Sequence, residues 1–249
     1  MDPHFAIPLV NGLQLCYSLQ GIPYFIFNLI SDPLININAY FIPPKEGKKL
    51  QEYATFLGDI GVMIKSSKCS IAKCEQEIIT KVKISAADRS VFVDGRNIAV
   101  KDKAVHVVTD MDVRDTTIEF GETFKKKRPY VVIELKQSGL AFKFQFTNEH
   151  LDLIVLDYSG ISKHSHGIMG QFLRREVTIK DETLQLNDRS LKFKRRPTWD
   201  FLTSNKLCLH AISSHGYQAE GIIEGSYTDY IMDTLFSTNF KYRQFYLSV

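Results

Sequence analysis

Hydrophobic and polar residues alternate with a period of two along much of the chain. In Leu140-Ala141-Phe142-Lys143-Phe144-Gln145-Phe146, Phe142, Phe144 and Phe146 fall on one face and Lys143 and Gln145 on the other. That is the pattern of a half-buried strand. Segments 90–93 and 97–100 flank Asp94-Gly95, a pair that tolerates the positive φ of a tight hairpin, and Ser138-Gly139 joins 130–135 to the phenylalanine strand in the same way. Further strands are predicted at 14–19, 24–31, 34–41, 61–65, 78–84, 105–109, 151–156, 177–179 and 191–193. Helical periodicity is nearly absent, and a short helix is predicted only at 229–236, where Tyr230, Ile231, Leu235 and Phe236 cluster at helical spacing. The polar stretch 43–49 reads as a loop. Short strands separated by turn residues predict an all-β protein, mainly an antiparallel β-sandwich or open barrel, with one or two short helices.

Composition narrows the classes without naming one. With 249 residues, 44% hydrophobic and 24% charged, the protein is large enough to bury a core of its own. No break in composition, internal repeat or low-complexity tract divides it, so a single domain over 1–249 is expected. The balance of 31 Lys plus Arg against 28 Asp plus Glu is a net +3, too small for a dedicated nucleic-acid protein. The most apolar segment, 24–30, is far shorter than the roughly 18 residues a membrane helix needs, so no membrane partner is expected. Met1-Asp2-Pro3-His4-Phe5 holds no basic region before an apolar run, so this stretch carries no signal peptide, and the protein is expected to be either cytosolic or a piece of something longer. No Asn-x-Ser/Thr sequon occurs, and Cys16, Cys69, Cys74 and Cys208 by themselves leave the redox compartment open.

Four constellations could carry chemistry. His164-Ser165-His166 on a strand would set two imidazoles on one side, with Asp157 nearby in sequence, which is the basis for a metalloenzyme or hydrolase reading. The bland reading, histidines in a turn, outweighs it: no Gly-x-Ser-x-Gly elbow is present, and Gly167 and Gly170 are wrongly spaced for a phosphate loop. No enzyme, no metal and no cofactor are therefore expected. Two basic clusters, Lys125-Lys126-Lys127-Arg128 and Lys192-Phe193-Lys194-Arg195-Arg196, suit a polyanion such as a sulfated glycosaminoglycan, against the plainer reading of a solvated face. Asp2-Pro3 is chemically special. Proline nitrogen is the better leaving group, so the Asp2 side-chain carboxyl can attack its own main-chain carbonyl to give a cyclic anhydride, with His4 as proton donor to the departing nitrogen. The bland alternative is a turn residue.

Together these segments resemble a known family. Asp2-Pro3-His4-Phe5, Leu15-Cys16-Tyr17-Ser18-Leu19-Gln20-Gly21 and Leu29-Ile30-Ser31-Asp32-Pro33 resemble the opening of the C-terminal (propeptide) region of inter-alpha-trypsin inhibitor heavy chains, itself similar to von Willebrand factor type D modules. Residues 151–157, Ser159, Ile161-Ser162 and His166-Gly167-Ile168-Met169-Gly170-Gln171-Phe172 resemble its middle block, and Glu220-Gly221-Ile222-Ile223-Glu224-Gly225, Thr228-Asp229-Tyr230-Ile231 and Leu235-Phe236 its last. The resemblance implies a von Willebrand D-like fold. It also implies a secreted, non-enzymatic matrix module: Asp2 would become a C-terminal residue after cleavage before Pro3, be esterified to chondroitin sulfate and later be passed to hyaluronan. Protease inhibition would belong to a separate light-chain partner. It further implies that Cys16 pairs with Cys208; the spacing of Cys69 and Cys74, five apart at a hairpin or loop, leaves a second bridge and free thiols both open. Met1 stands where the family has Gly, and Asp152-Leu153 replaces its Gly-Phe pair; Ser165 and Met169 stand where type D modules carry cysteines, which removes their disulfide pattern. The competing reading is a diverged stand-alone β module that binds glycosaminoglycan or protein without the processing chemistry.

Overall fold

The computed structural model describes residues 4–9, 12–19, 21–44, 55–69, 74–98, 105–107, 116–123, 128–147, 149–173, 177–186, 189–197, 207–212 and 221–238. Among them the strands are β1 (His4–Pro8), β2 (Gln14–Ser18), β3 (Ile26–Ser31), β4 (Ile35–Ile42), β5 (Phe56–Cys69), β6 (Cys74–Ser85), β7 (Ser90–Val93), β8 (Arg96–Ile98) and β9 (Val105–Val107). They continue with β10 (Thr116–Glu122), β11 (Pro129–Leu135), β12 (Leu140–Phe146), β13 (Leu151–Asp157), β14 (Val177–Lys180), β15 (Thr183–Leu186), β16 (Arg189–Pro197), β17 (Leu207–Ala211) and β18 (Ile231–Met232). The fold is all-β. Among the described residues, helical content is confined to short 3-10 turns at Lys136–Ser138, Gly170–Phe172 and Tyr227–Tyr230.

Two sheets share one hydrophobic core. The smaller runs β1-β2-β17-β16-β15-β14; the larger runs β18-β3-β4-β5-β13-β12-β11-β10-β9, with the β6, β7 and β8 meander branching from β5. Every pairing among the described strands is antiparallel except β17 with β2. Phe27, Phe41, Phe142, Phe144, Phe146 and Phe172 are fully buried in the core. Their burial supplies much of the drive to collapse.

The turn chemistry acts where glycine and aspartate allow it. Asp94 (φ 47°) and Gly95 (φ 81°) both lie in the left-handed region, the requirement of the tight hairpin that joins β7 to β8. Gly139 (φ 61°) closes the connection from β11 to β12.

Three expectations are corrected. β12 is not half-buried: Ala141 and Gln145 are buried beside the phenylalanines, because β12 is an inner strand. Tyr130 faces Gln145 directly across the sheet, and the Lys143 ammonium lies 4.0 Å from the Tyr130 ring centre. The helix at 229–236 does not form. A capping box of Ser226 and Asp229 starts one 3-10 turn, but Ile231 and Met232 then pair with Phe27 and Ile26 of β3. Tertiary strand pairing outweighs local helical spacing. The segment around His164-Ser165-His166 is a turn joined to β3 by a single bridge between Ser31 and His166.

Candidate functional site

The backbone immediately after Asp2-Pro3 is firmly held. Asp2, Pro3 and the His4 side chain lie outside the described residues, but the backbone is placed from His4 onward. β1 runs antiparallel to β2 with His4 opposite Ser18, Ala6 opposite Cys16 and Pro8 opposite Gln14. Phe5, Ile7 and Leu9 alternate into the core. The Phe5 ring packs 5.5 Å from Tyr17, and Tyr17 packs 5.7 Å from Phe172. Tyr17 donates its hydroxyl to the Ile168 carbonyl at 2.6 Å, and the Tyr158 hydroxyl donates to the Leu9 carbonyl at 3.0 Å. On its other edge β2 runs parallel to β17, with Cys208 opposite Gln14 and His210 opposite Cys16. A disulfide joins Cys16 to Cys208, whose Cα atoms are 5.9 Å apart. That separation is within the usual range for a bridge.

Behind this strand lies a buried polar cluster built on Gln171, which is fully buried. Its Nε2 donates to the Gly167 carbonyl (2.9 Å) and to the Tyr230 hydroxyl (3.0 Å). Its Oε1 accepts the Glu224 N–H at 2.8 Å. The Tyr230 hydroxyl in turn donates to the Glu224 carbonyl at 2.8 Å. His166 stacks on Tyr230 with ring centres 5.8 Å apart. The His166 Nδ1 accepts the Gly167 N–H at 2.8 Å, so the ring hydrogen belongs on Nε2, which faces the Glu224 carboxylate at 3.2 Å. Gly167 adopts φ +100°, and a Cβ there would sit 2.6 Å from both the Asn28 Oδ1 and the Leu29 carbonyl oxygen. Only glycine lets this segment lie against β3. Asp32 fastens the same loop, its carboxylate accepting the Leu34 N–H (3.1 Å) and the Ser162 N–H (2.8 Å).

Three sequence blocks far apart along the polypeptide are thus one contiguous structure. Phe5 packs on Tyr17, Tyr17 touches Phe172 and Ile168, and Gln171 and His166 tie these to Glu224 and Tyr230. Sequence reasoning noticed the blocks but assigned no role to Gln171, Glu224 or Tyr230. Residue type alone gave no signal that a glutamine would sit at the centre.

Other candidate residues are scattered. Lys125, Lys126 and Lys127 lie outside the described residues, and Arg128 follows β10, its N–H donating to the Thr123 Oγ1 at 3.0 Å. Lys194 and Arg195 are exposed on β16 of the other sheet, and of Arg196 only the backbone is described. The structure adds neighbours that spacing missed: Lys180 stands opposite Thr183, and Thr183 opposite Lys192. Lys180, Lys192 and Lys194 therefore share one exposed face. Cys69 and Cys74 are register partners across the β5–β6 hairpin, and only their backbones are described. The metal trio of His164, His166 and Asp157 is not assembled. His164 is exposed, Asp157 accepts the Ser159 N–H within its own turn at 2.9 Å, and both His166 ring nitrogens are committed to protein partners.

Comparison with known proteins bears on the same blocks. The family model for the C-terminus of the inter-alpha-trypsin inhibitor heavy chains matches residues 34–197. Inter-alpha-trypsin inhibitor heavy chain H1 of Mesocricetus auratus is 26% identical over 256 residues, covering 94% of this chain and 26% of that protein. Heavy chain H3 of Pongo abelii is 24% identical over 258 residues (94% of this chain, 27% of that protein). Heavy chain H2 of Sus scrofa is 26% identical over 266 residues (95% and 26%). The protein spans about a quarter of the length of these curated relatives.

Proposed function

Because this chain belongs to the family defined by the C-terminus of inter-alpha-trypsin inhibitor heavy chains, we propose that it is a non-enzymatic, secreted matrix module whose fold presents Asp2-Pro3 for processing. The Asp2 side-chain carboxylate attacks the Asp2 main-chain carbonyl. The Pro3 nitrogen leaves with a proton, and His4 is the proposed donor. The resulting cyclic anhydride is opened by a sugar hydroxyl of chondroitin sulfate, leaving an ester and a free carboxyl on Asp2. Hyaluronan is the later acceptor, and a light-chain inhibitor is a further partner by family resemblance.

The observation that supports this reading is the mounting of β1. Backbone pairing begins at His4, and Phe5 packs on Tyr17, which in turn packs on Phe172. A strand fixed directly beyond the scissile bond restricts the backbone on the leaving-group side, which lowers the entropy cost of reaching the attack geometry. The test is mass spectrometry of a version carrying additional residues upstream of Asp2, co-expressed with a chondroitin-bearing partner. Cleavage before Pro3 with an ester on Asp2 is expected; an intact Asp2-Pro3 bond refutes the reading.

A second reading, glycosaminoglycan binding without processing, draws support from the exposed face of Lys180, Lys192 and Lys194. With Lys125, Lys126, Lys127, Arg128, Arg195 and Arg196 as further contributors, retention on a heparin column should fall with rising salt. It should fall further in a Lys192→Ala/Lys194→Ala/Arg195→Ala variant. Unchanged retention removes β16 from the binding surface.

A further inference from the structure

His210 lies two residues beyond Cys208 on β17, directly opposite Cys16 in the parallel register. Side chains of alternate strand residues share a face, so Cys208 and His210 flank Cys16 on one side of the sheet. A His210 ring nitrogen and the two sulfurs all lie within 4.8 Å of one another. Among the described residues this is the only group of three such ligands gathered so closely. Both cysteines are fully buried and His210 is partly exposed.

We propose that opening the Cys16–Cys208 disulfide converts this cluster into a three-ligand zinc(II) site, with a water completing the tetrahedron from the His210 side. A small dithiol supplies two electrons and two protons and becomes a cyclic disulfide, while Cys16 and Cys208 become thiols. Zinc(II) then displaces the two thiol protons to solvent, and His210 binds as neutral imidazole.

Geometry and charge both support the site. Zinc bonds of about 2.3 Å to sulfur and about 2.0 Å to nitrogen place tetrahedral ligand atoms roughly 3.5–3.8 Å apart. The three ligand atoms lie within 4.8 Å of one another, close to that spacing once the S–S bond is open. Two thiolates cancel the dication, so the buried complex is neutral, the condition under which ions are tolerated away from water. Disulfide and metal exclude each other, so the redox state of the surroundings selects which bond holds β2 to β17.

The test uses the full-length protein with Cys69→Ser and Cys74→Ser, so that one cysteine pair remains, and cobalt(II) as the optical probe. The oxidised protein should show no cobalt spectrum. After anaerobic reduction it should bind one cobalt per molecule, with intense tetrahedral d–d bands and thiolate-to-cobalt charge transfer, and zinc should displace the cobalt. Loss of a partner outside the coordination sphere weakens metal sites about 10–100-fold, so His210→Ala, which removes a direct ligand, should cost about 100-fold or more. Absence of a tetrahedral spectrum in the reduced protein, or equal affinity in His210→Ala, overturns the proposal. Should reduction abolish the near-ultraviolet circular dichroism, its recovery on adding zinc supports the site, and failure to recover counts against it.

Discussion

Replacing Gln171 by leucine tests whether the three sequence blocks are held together by hydrogen bonding or merely packed side by side. Leucine keeps nearly the same volume, so the change isolates polar contacts. Three partners lose Gln171: the Gly167 carbonyl, the Tyr230 hydroxyl and the Glu224 N–H, at 2.9, 3.0 and 2.8 Å. Each buried group left without its partner costs about 1–3 kcal/mol. The Tyr230 hydroxyl keeps its bond to the Glu224 carbonyl, the Gly167 carbonyl keeps the backbone N–H of residue 171 at 3.4 Å, and leucine contributes apolar burial in return. A net loss of about 2–4 kcal/mol is expected. Against a total stability of about 5–15 kcal/mol, that brings the protein close to unfolding. Urea denaturation followed by near-ultraviolet circular dichroism measures it. A double-mutant cycle with Tyr230→Phe should return a coupling of about 0.5–3 kcal/mol, since the two side chains touch. A loss below about 1 kcal/mol with no coupling would show that packing alone joins the blocks.

Further outcomes follow from other positions. Cys16→Ala/Cys208→Ala should destabilise by about 5 kcal/mol on the loop-entropy model for a separation of 192 residues, read from the shift in urea midpoint; a shift worth under about 1 kcal/mol would refute that model here. Gly167→Ala forces a Cβ within 2.6 Å of the Leu29 carbonyl oxygen at φ +100° and should lower stability by about 2–4 kcal/mol in thermal unfolding, whereas Gly95→Ala, with open space around it, should cost only its backbone strain of about 1–2 kcal/mol. Burial lowers the Lys143 pKa from 10.5, so the folded state releases this proton before the unfolded polypeptide does. The stability of wild type relative to Lys143→Met should therefore rise as pH climbs through the lowered pKa towards 10.5, and a difference independent of pH refutes the assignment.

Much of the sheet was legible because alternation and turn chemistry are local properties. Asp94-Gly95 and Gly139 turn where the dipeptides predict. Phe142, Phe144 and Phe146 point to the core as their spacing requires. β1 and β10 were missed although their alternation is present: Phe5 and Ile7 in β1 and Thr116, Ile118 and Phe120 in β10 all point inward. β5 and β6 extend beyond the predicted 61–65 and 78–84 because the pairing of Lys65 with Ile79 continues through polar residues to Cys69 and Cys74. Backbone hydrogen bonding does not need apolar side chains to propagate. What local pattern could not supply is long-range partnership. Nothing in the sequence around Gln171 announces Glu224, and nothing around Ile231 announces that β3 will take it from a helix into a strand.

The parallel pairing of β2 with β17 also sets a clock. β2 lies between β1 and β17, and the residues that must meet, Cys16 and Cys208, are 192 positions apart. At about 5–20 residues per second, a ribosome delivers Cys208 roughly 10–40 s after Cys16. Through that interval the β1–β2 hairpin has one edge open and no disulfide, and a hairpin alone is marginal in water. The stretch next to Asp2-Pro3 therefore acquires its fixed mount only when nearly all of the described fold has been synthesised. Seating of the N-terminal hairpin reports completion of the fold behind it, so any chemistry that depends on that seat is withheld from unfinished molecules.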